Sequence, residues 1–312
     1  MSQPRKHHFL PQFYLRNFSP DEISLTQIEK RSGKAYGGRI KDLAAIRDFH
    51  RLDFDDAEDP QALEKQLAYV EGEMSADIAA LLRNGLAEKR ALVQTIGFVS
   101  LLRMRVPAVK KHIEASLSAA VRVAAEALER QGKLPPAPPG LEEALKVANL
   151  KIEINNWKCM EHMFNMAFQP SVLDIMCNMR AVLLRAPSGS FLTSDQPVAL
   201  FHPNKDSPYG VGPATPGVEI SAPLSSTTLL LLTHDERPDE ERTATAAEVF
   251  EYNRRTIVMA EQYIYAQEVS APLIDLVRKF NSHSAGLCFD MLPGVGGTYQ
   301  ILRCVPVYPA GV

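Results

Sequence analysis

The sequence has four cysteines and one tryptophan in 312 residues, and no apolar run in it approaches the roughly 20 residues that cross a bilayer. Cys159, Cys177, Cys288 and Cys304 stand far apart, without the close pairing of a zinc knuckle or a redox motif, so they read as buried free thiols. The opening residues lack the charged-then-apolar order of a secretion signal, which makes a cytoplasmic protein without a membrane partner the expectation. No Gly-x-Ser-x-Gly elbow is present. The loop Gly294-Val295-Gly296-Gly297 lacks the lysine and helix start of a phosphate cradle, and His234-Asp235-Glu236 has no second ligand pair at metal spacing. A net charge of −3 argues against a dedicated nucleic-acid coat, because duplex binding rests on clustered cations.

What is present is an ordinary globular composition, with 46% hydrophobic and 23% charged residues, enough for one large core or two modest ones. Local basic clusters occur around Lys6, His7, His8 and Arg16, around Arg39 to Arg51, and around Arg103 to His112. Acidic stretches at Asp53 to Asp59 and Asp235 to Glu241 offset them, so a mixed solvated surface is the simpler reading and a local nucleic-acid groove the alternative.

Periodicity predicts an N-terminal hairpin, with strands from Ile23 to Lys30 and from Ala35 to Ile40 about a turn at Ser32-Gly33-Lys34. Leu63, Leu67, Val70 and Met74 recur at helical spacing after Asp59-Pro60, up to a stop at Asn84-Gly85. A second helix from about Glu88 is expected to kink at Pro107 and run to Gln131. The Pro-rich segment 134–140 follows, then further helix from Leu141 to about Leu184, whose methionines read as core filling. Short β-type runs occupy Ser190 to Phe201, Gly217 to Pro223 and Thr227 to Thr233. A long helix from Thr245 to Ala266, a helix from Ala271 to Asn281 and a strand from Tyr299 to Val307 close the chain. The expected fold is α+β: a largely helical N-terminal and middle part packed on a small, mainly antiparallel sheet formed by the C-terminal part and the N-terminal hairpin. The chain reads as one domain, 1–312, with 1–133 and 141–312 as two subdomains the alternative.

Two segments carry chemistry. In His7-His8-Phe9-Leu10-Pro11-Gln12-Phe13-Tyr14-Leu15-Arg16-Asn17-Phe18, an extended start puts His8 and Leu10 on one side, with His7 and Phe9 on the other, so one imidazole faces inward. Such a histidine is either a general acid or base or a core imidazole with a hydrogen-bond partner. In Phe191-Leu192-Thr193-Ser194-Asp195-Gln196-Pro197-Val198, Asp195 reads either as a base or metal ligand or as a turn residue binding backbone amides. Glu64 and Glu71 project from nearly the same helix face, and Arg105 stands at the Pro107 kink, where it would clamp an anion or pair with an acid.

Together these two segments resemble the paired signatures of the bacterial family known as domain of unknown function 4238. Leu63-Glu64 with Glu71, Arg105-Val106-Pro107, and Asn253 in the helix before Gln262-Tyr263-Ile264-Tyr265 also look like that family's positions, in the expected order. The resemblance carries positions and no activity. It implies that polar residues from distant segments converge, which hydrophobic packing alone does not explain. The expected function is hydrolase-type, nuclease-like phosphodiester hydrolysis. Its catalytic set is His8, Asp195 and Glu71, and its substrate-binding set is Arg105, Ser194 and Asn253. No cofactor is expected, a divalent metal on His8, Glu71 and Asp195 being a third reading that no ligand spacing supports. The partner is unknown from the sequence, with a nucleic acid or another anionic substrate as the candidate class and no membrane. The rival reading is a non-enzymatic binding or regulatory module, in which the same residues form a structural hydrogen-bond network.

Overall fold

The computed structural model describes residues 6–52, 59–204, 210–294 and 297–310. The acidic stretch expected at 53–59 and the glycine loop at 294–297 therefore lie largely outside the described residues. The chain opens with strand β1 (Lys6–His8) and a one-turn helix α1 (Gln12–Arg16), which Pro11 starts by fixing the backbone ahead of it. Strands β2 (Ser24–Glu29) and β3 (Ala35–Arg39) form the expected hairpin, turning at Gly33 with φ +69, and β4 (Ala45–Arg47) pairs antiparallel with β1.

Helix α2 (Ala62–Asn84) ends at Gly85, whose φ of +68 suits only glycine; a Cβ there would also meet the Glu241 carboxylate. The single kinked helix expected around Pro107 is two helices, α3 (Lys89–Met104) and α4 (Pro107–Arg130), bent by 59°. Proline has no N–H to donate into a continuing helix but fits the first turn of a new one, so Arg105 and Val106 become the corner between them.

Helix from Leu141 to Leu184 is overturned in part. Outside a 3-10 turn at Val147–Asn149, regular structure resumes only at α5 (Asn156–Ala167), capped by Asn155, and α6 (Pro170–Asn178). Residues Arg180–Arg185 are a buried strand, β5. A short, continuously apolar run has no period to separate strand from helix. The rest comprises β6 (Thr193–Ser194), β7 (Ala199–Phe201), β8 (Glu219–Ser225), β9 (Thr228–Thr233) and β10 (Glu240–Thr243). After them come α7 (Ala246–Met259), β11 (Tyr263–Ala266), α8 (Ala271–Phe280), and the hairpin of β12 (Gly286–Gly294) and β13 (Gly297–Val305).

Two sheets organise the fold: β10-β5-β9-β8-β7, antiparallel except for the parallel β10–β5 pair, and the antiparallel β3-β2-β11-β6. The protein is α+β. Its main core draws Phe9, Leu10, Tyr14, Phe18, Ile78, Phe98 and Val106 from one side of the Pro-rich segment and Met160, Met163, Met176, Leu183 and Tyr265 from the other. The methionines fill core space as their flexibility suits. Of the thiols, Cys159 is buried, Cys288 and Cys304 are half-buried, and Cys177 is exposed, contrary to expectation, because it falls on the outer face of α6. Among the described residues no single helix is long and apolar enough to cross a membrane; α3 and α4 pass that test only as a bent pair.

Candidate functional site

Pairing of β1 with β4 sets His7 against Ile46 and His8 against Ala45. The alternation holds, and His7 is the inward imidazole, fully buried, while His8 is half-buried. His7 Nδ1 accepts the backbone N–H of His50 at 2.9 Å, and the two rings stack with centroids 5.6 Å apart at 16°. His50 Nδ1 in turn lies 2.6 Å from Glu64 Oε2, which also stands 4.0 Å from His7 Nδ1. Burial, with Arg105 and His7 nearby, pushes His50 down to about 4, so the ring is neutral and donates to an ionised Glu64. Beside this seam Arg105, 2% exposed, pairs through Nη1 with Glu71 and donates through Nη2 to the His8 carbonyl at 2.8 Å. Burial raises Glu71 against the pull of Arg105. The His8 ring is lowered by burial and meets the Lys41 carbonyl at 3.2 Å.

The second signature holds the far end of α7. Asp195, 7% exposed, accepts three backbone N–H groups, Glu261 on Oδ1 at 2.9 Å, and Gln262 and Tyr263 on Oδ2 at 2.7 and 3.0 Å. From the same turn, the carbonyls of Val258 and Ala260 receive the ammonium of buried Lys30, which also bonds His283 O. A cation on the last carbonyls of a helix and a carboxylate on the following amides match the charge each backbone group presents. Their joint capture explains why the helix expected to reach Ala266 stops at Met259 and becomes β11. Asn253 bridges the preceding loop, accepting Leu192 N–H at 3.0 Å and donating to Ser190 O at 2.7 Å. Ser194 Oγ accepts Gln196 N–H at 3.2 Å.

Between the two regions lies a cavity of about 320 Å³, whose wall includes Ala44, Ala45 and Ile46 on one side and Asp195, Glu261 and Tyr263 on the other. Ala44 adopts φ +47, a left-handed conformation costly for alanine, where its chain turns into β4. Asp42 and Glu261, also in the wall, are each paired with a lysine, Lys6 at 2.6 Å and Lys111 at 3.5 Å. Burial outweighs the three amide bonds and pushes Asp195 up to about 6, with the Glu261 charge adding to the rise.

The sequence-predicted residues thus divide. His8, Glu71 and Arg105 meet at the seam, and Asp195, Ser194 and Asn253 gather at the α7 turn; no hydrogen bond joins the His8 ring to Asp195 among the described residues. Arg105 is placed to hold β1, since both η nitrogens are engaged and the guanidinium is buried. The third reading's metal set of His8, Glu71 and Asp195 is not assembled. Sequence reasoning missed His7 as the inward ring, His50 as its neighbour and Lys30 as a buried cation. The alternation of β1 carries the signal for His7; nothing local marks His50 or Lys30.

The family model described as "Protein of unknown function (DUF4238)" matches residues 6–270. No curated protein and no solved structure matches the chain.

Proposed function

The chain belongs to the DUF4238 family, and on that footing we propose that it is a hydrolase-type enzyme acting on a phosphodiester or another anionic ester, with Asp195 as its acid–base group. The observation that carries this reading is a carboxyl held at about 6, beside a cavity large enough for a small ester group, with one Oδ1 lone pair left over from the backbone bonds. Lys6 and Lys111, exposed and paired to the wall carboxylates Asp42 and Glu261, offset the negative charge at the mouth. His8, Glu71 and Arg105 are positioning residues in this reading. Through the His8 carbonyl they fix β1, and β1 fixes the β4 wall.

Hydrolysis of bis(p-nitrophenyl) phosphate and of p-nitrophenyl acetate, followed against pH, tests it. The wild-type rate should show one inflection near pH 6. Glu261→Gln removes the neighbouring negative charge and should move that inflection downward. An activity without the inflection, or one that Glu261→Gln leaves in place, sinks the role of Asp195.

A second reading has its own observation. Asp195, Asn253, Ser194 and Lys30 all bond backbone groups, which is the work of a structural network in a binding or regulatory module. Under it Glu261→Gln changes nothing but surface charge, and neither ester is hydrolysed.

A further inference from the structure

We propose that His7, His50 and Glu64 form a binding site for a divalent transition metal, zinc first among them. The three residues come from β1, from the loop after β4 and from the first turn of α2, and the fold alone brings them together. One donor atom from each lies within 4.8 Å of the other two, as ligands of a single ion must. Two neutral imidazoles and a carboxylate are the ligand set that suits zinc and its first-row neighbours, whereas calcium and magnesium prefer oxygen alone.

A hydrogen-bonded triplet of purely structural purpose accounts for only half of the polar atoms here. His7 Nδ1 and His50 Nδ1 are engaged, but Nε2 of both rings is buried and without a partner among the described residues. Native interiors rarely leave two such atoms in one cluster, which marks these rings as incompletely satisfied by the protein itself. Charge agrees. Arg105 would repel a cation, but its pairing with Glu71 neutralises it, and Glu64 leaves the cluster with a net negative charge. An ion on His50 Nδ1 displaces the proton that faces Glu64 to Nε2 of the same ring, so the ligand stays a neutral imidazole and no proton leaves the site. Three protein ligands leave at least one coordination position open, the arrangement of an ion that can take a water or a ligand oxygen.

The full-length chain, stripped with a chelator and dialysed, is titrated with Zn²⁺ by calorimetry and with Co²⁺ by visible absorption. One equivalent should bind, Co²⁺ should show the d–d bands of nitrogen and oxygen ligation, and Zn²⁺ should raise the melting temperature. Glu64→Gln keeps an acceptor for His50 and removes the charge, so it should fold and bind more than about tenfold more weakly. His50→Ala should abolish the cobalt bands, and His162→Ala, at an exposed position on α5, should leave them intact. Binding that is equal in wild type and Glu64→Gln, or lost equally in His162→Ala, overturns the site, as does a wild-type chain that takes up neither ion. None of these readouts depends on ester hydrolysis, so the site and the role of Asp195 fail or stand separately.

Discussion

The seam around His7 and the turn around Asp195 are both buried, polar and built from distant segments, yet they differ in how far their polar atoms are satisfied. At the turn the Asp195 carboxylate, the Asn253 amide and the Lys30 ammonium are committed to named backbone groups. At the seam two imidazole nitrogens and Arg105 Nε are not. Saturated groups hold backbone in place, while the seam keeps buried nitrogens without partners, so the two signatures are built to different degrees of completion.

The comparison breaks most easily at Arg105. Arg105→Ala strands a half-buried Glu71 and frees the His8 carbonyl, and urea unfolding should show a loss of about 3 kcal/mol, partly recovered by adding Glu71→Ala. A loss no larger than a surface change would mean that the seam does not depend on this pair.

At the turn the sharper instrument is pH. Asp195 sits near 6 when folded against an ordinary value of 3.8. Between those values the folded chain keeps a proton that the unfolded chain has lost. Its contribution is therefore greatest below pH 3.8 and falls by roughly 3 kcal/mol as pH rises through 6, then levels off. Melting curves of wild type against Asp195→Asn across pH 4 to 7 isolate that slope, which the variant should lack. Smallest of the three is Asn253→Ala, which leaves Leu192 N–H and Ser190 C=O unmatched and should cost about 2 kcal/mol by the same unfolding measurement.

Much of the architecture is legible in the sequence where punctuation is strong. Gly33 marks the hairpin, Gly85 ends α2, and Pro107 breaks the helical run. Legibility fails where tertiary contacts decide. The apolar run of β5 has no period, and α7 could have continued past Met259 had Asp195 and Lys30 not captured the following backbone. The same limit applies to the sites. Strand alternation narrows two adjacent histidines to one inward ring, and helical spacing groups Glu64 with Glu71. The arrival of His50 against Glu64 is a long-range event with no local sign. Arg105 illustrates the converse: its position at a corner was readable, but its burial, which makes it a brace for β1, was not.

The order of assembly during synthesis follows from the sheet β3-β2-β11-β6. Strand β2 leaves the ribosome early, but its second neighbour is β11, and the Lys30 ammonium that ends β2 waits for Ala260, 230 positions later. At about 5–20 residues per second that delay is on the order of ten seconds or more, during which one edge of the hairpin has no partner. The nascent chain is then open to strand pairing with its neighbours. Truncations ending before β11 should accumulate as aggregates, because the second signature is then present but the strand that it anchors is not.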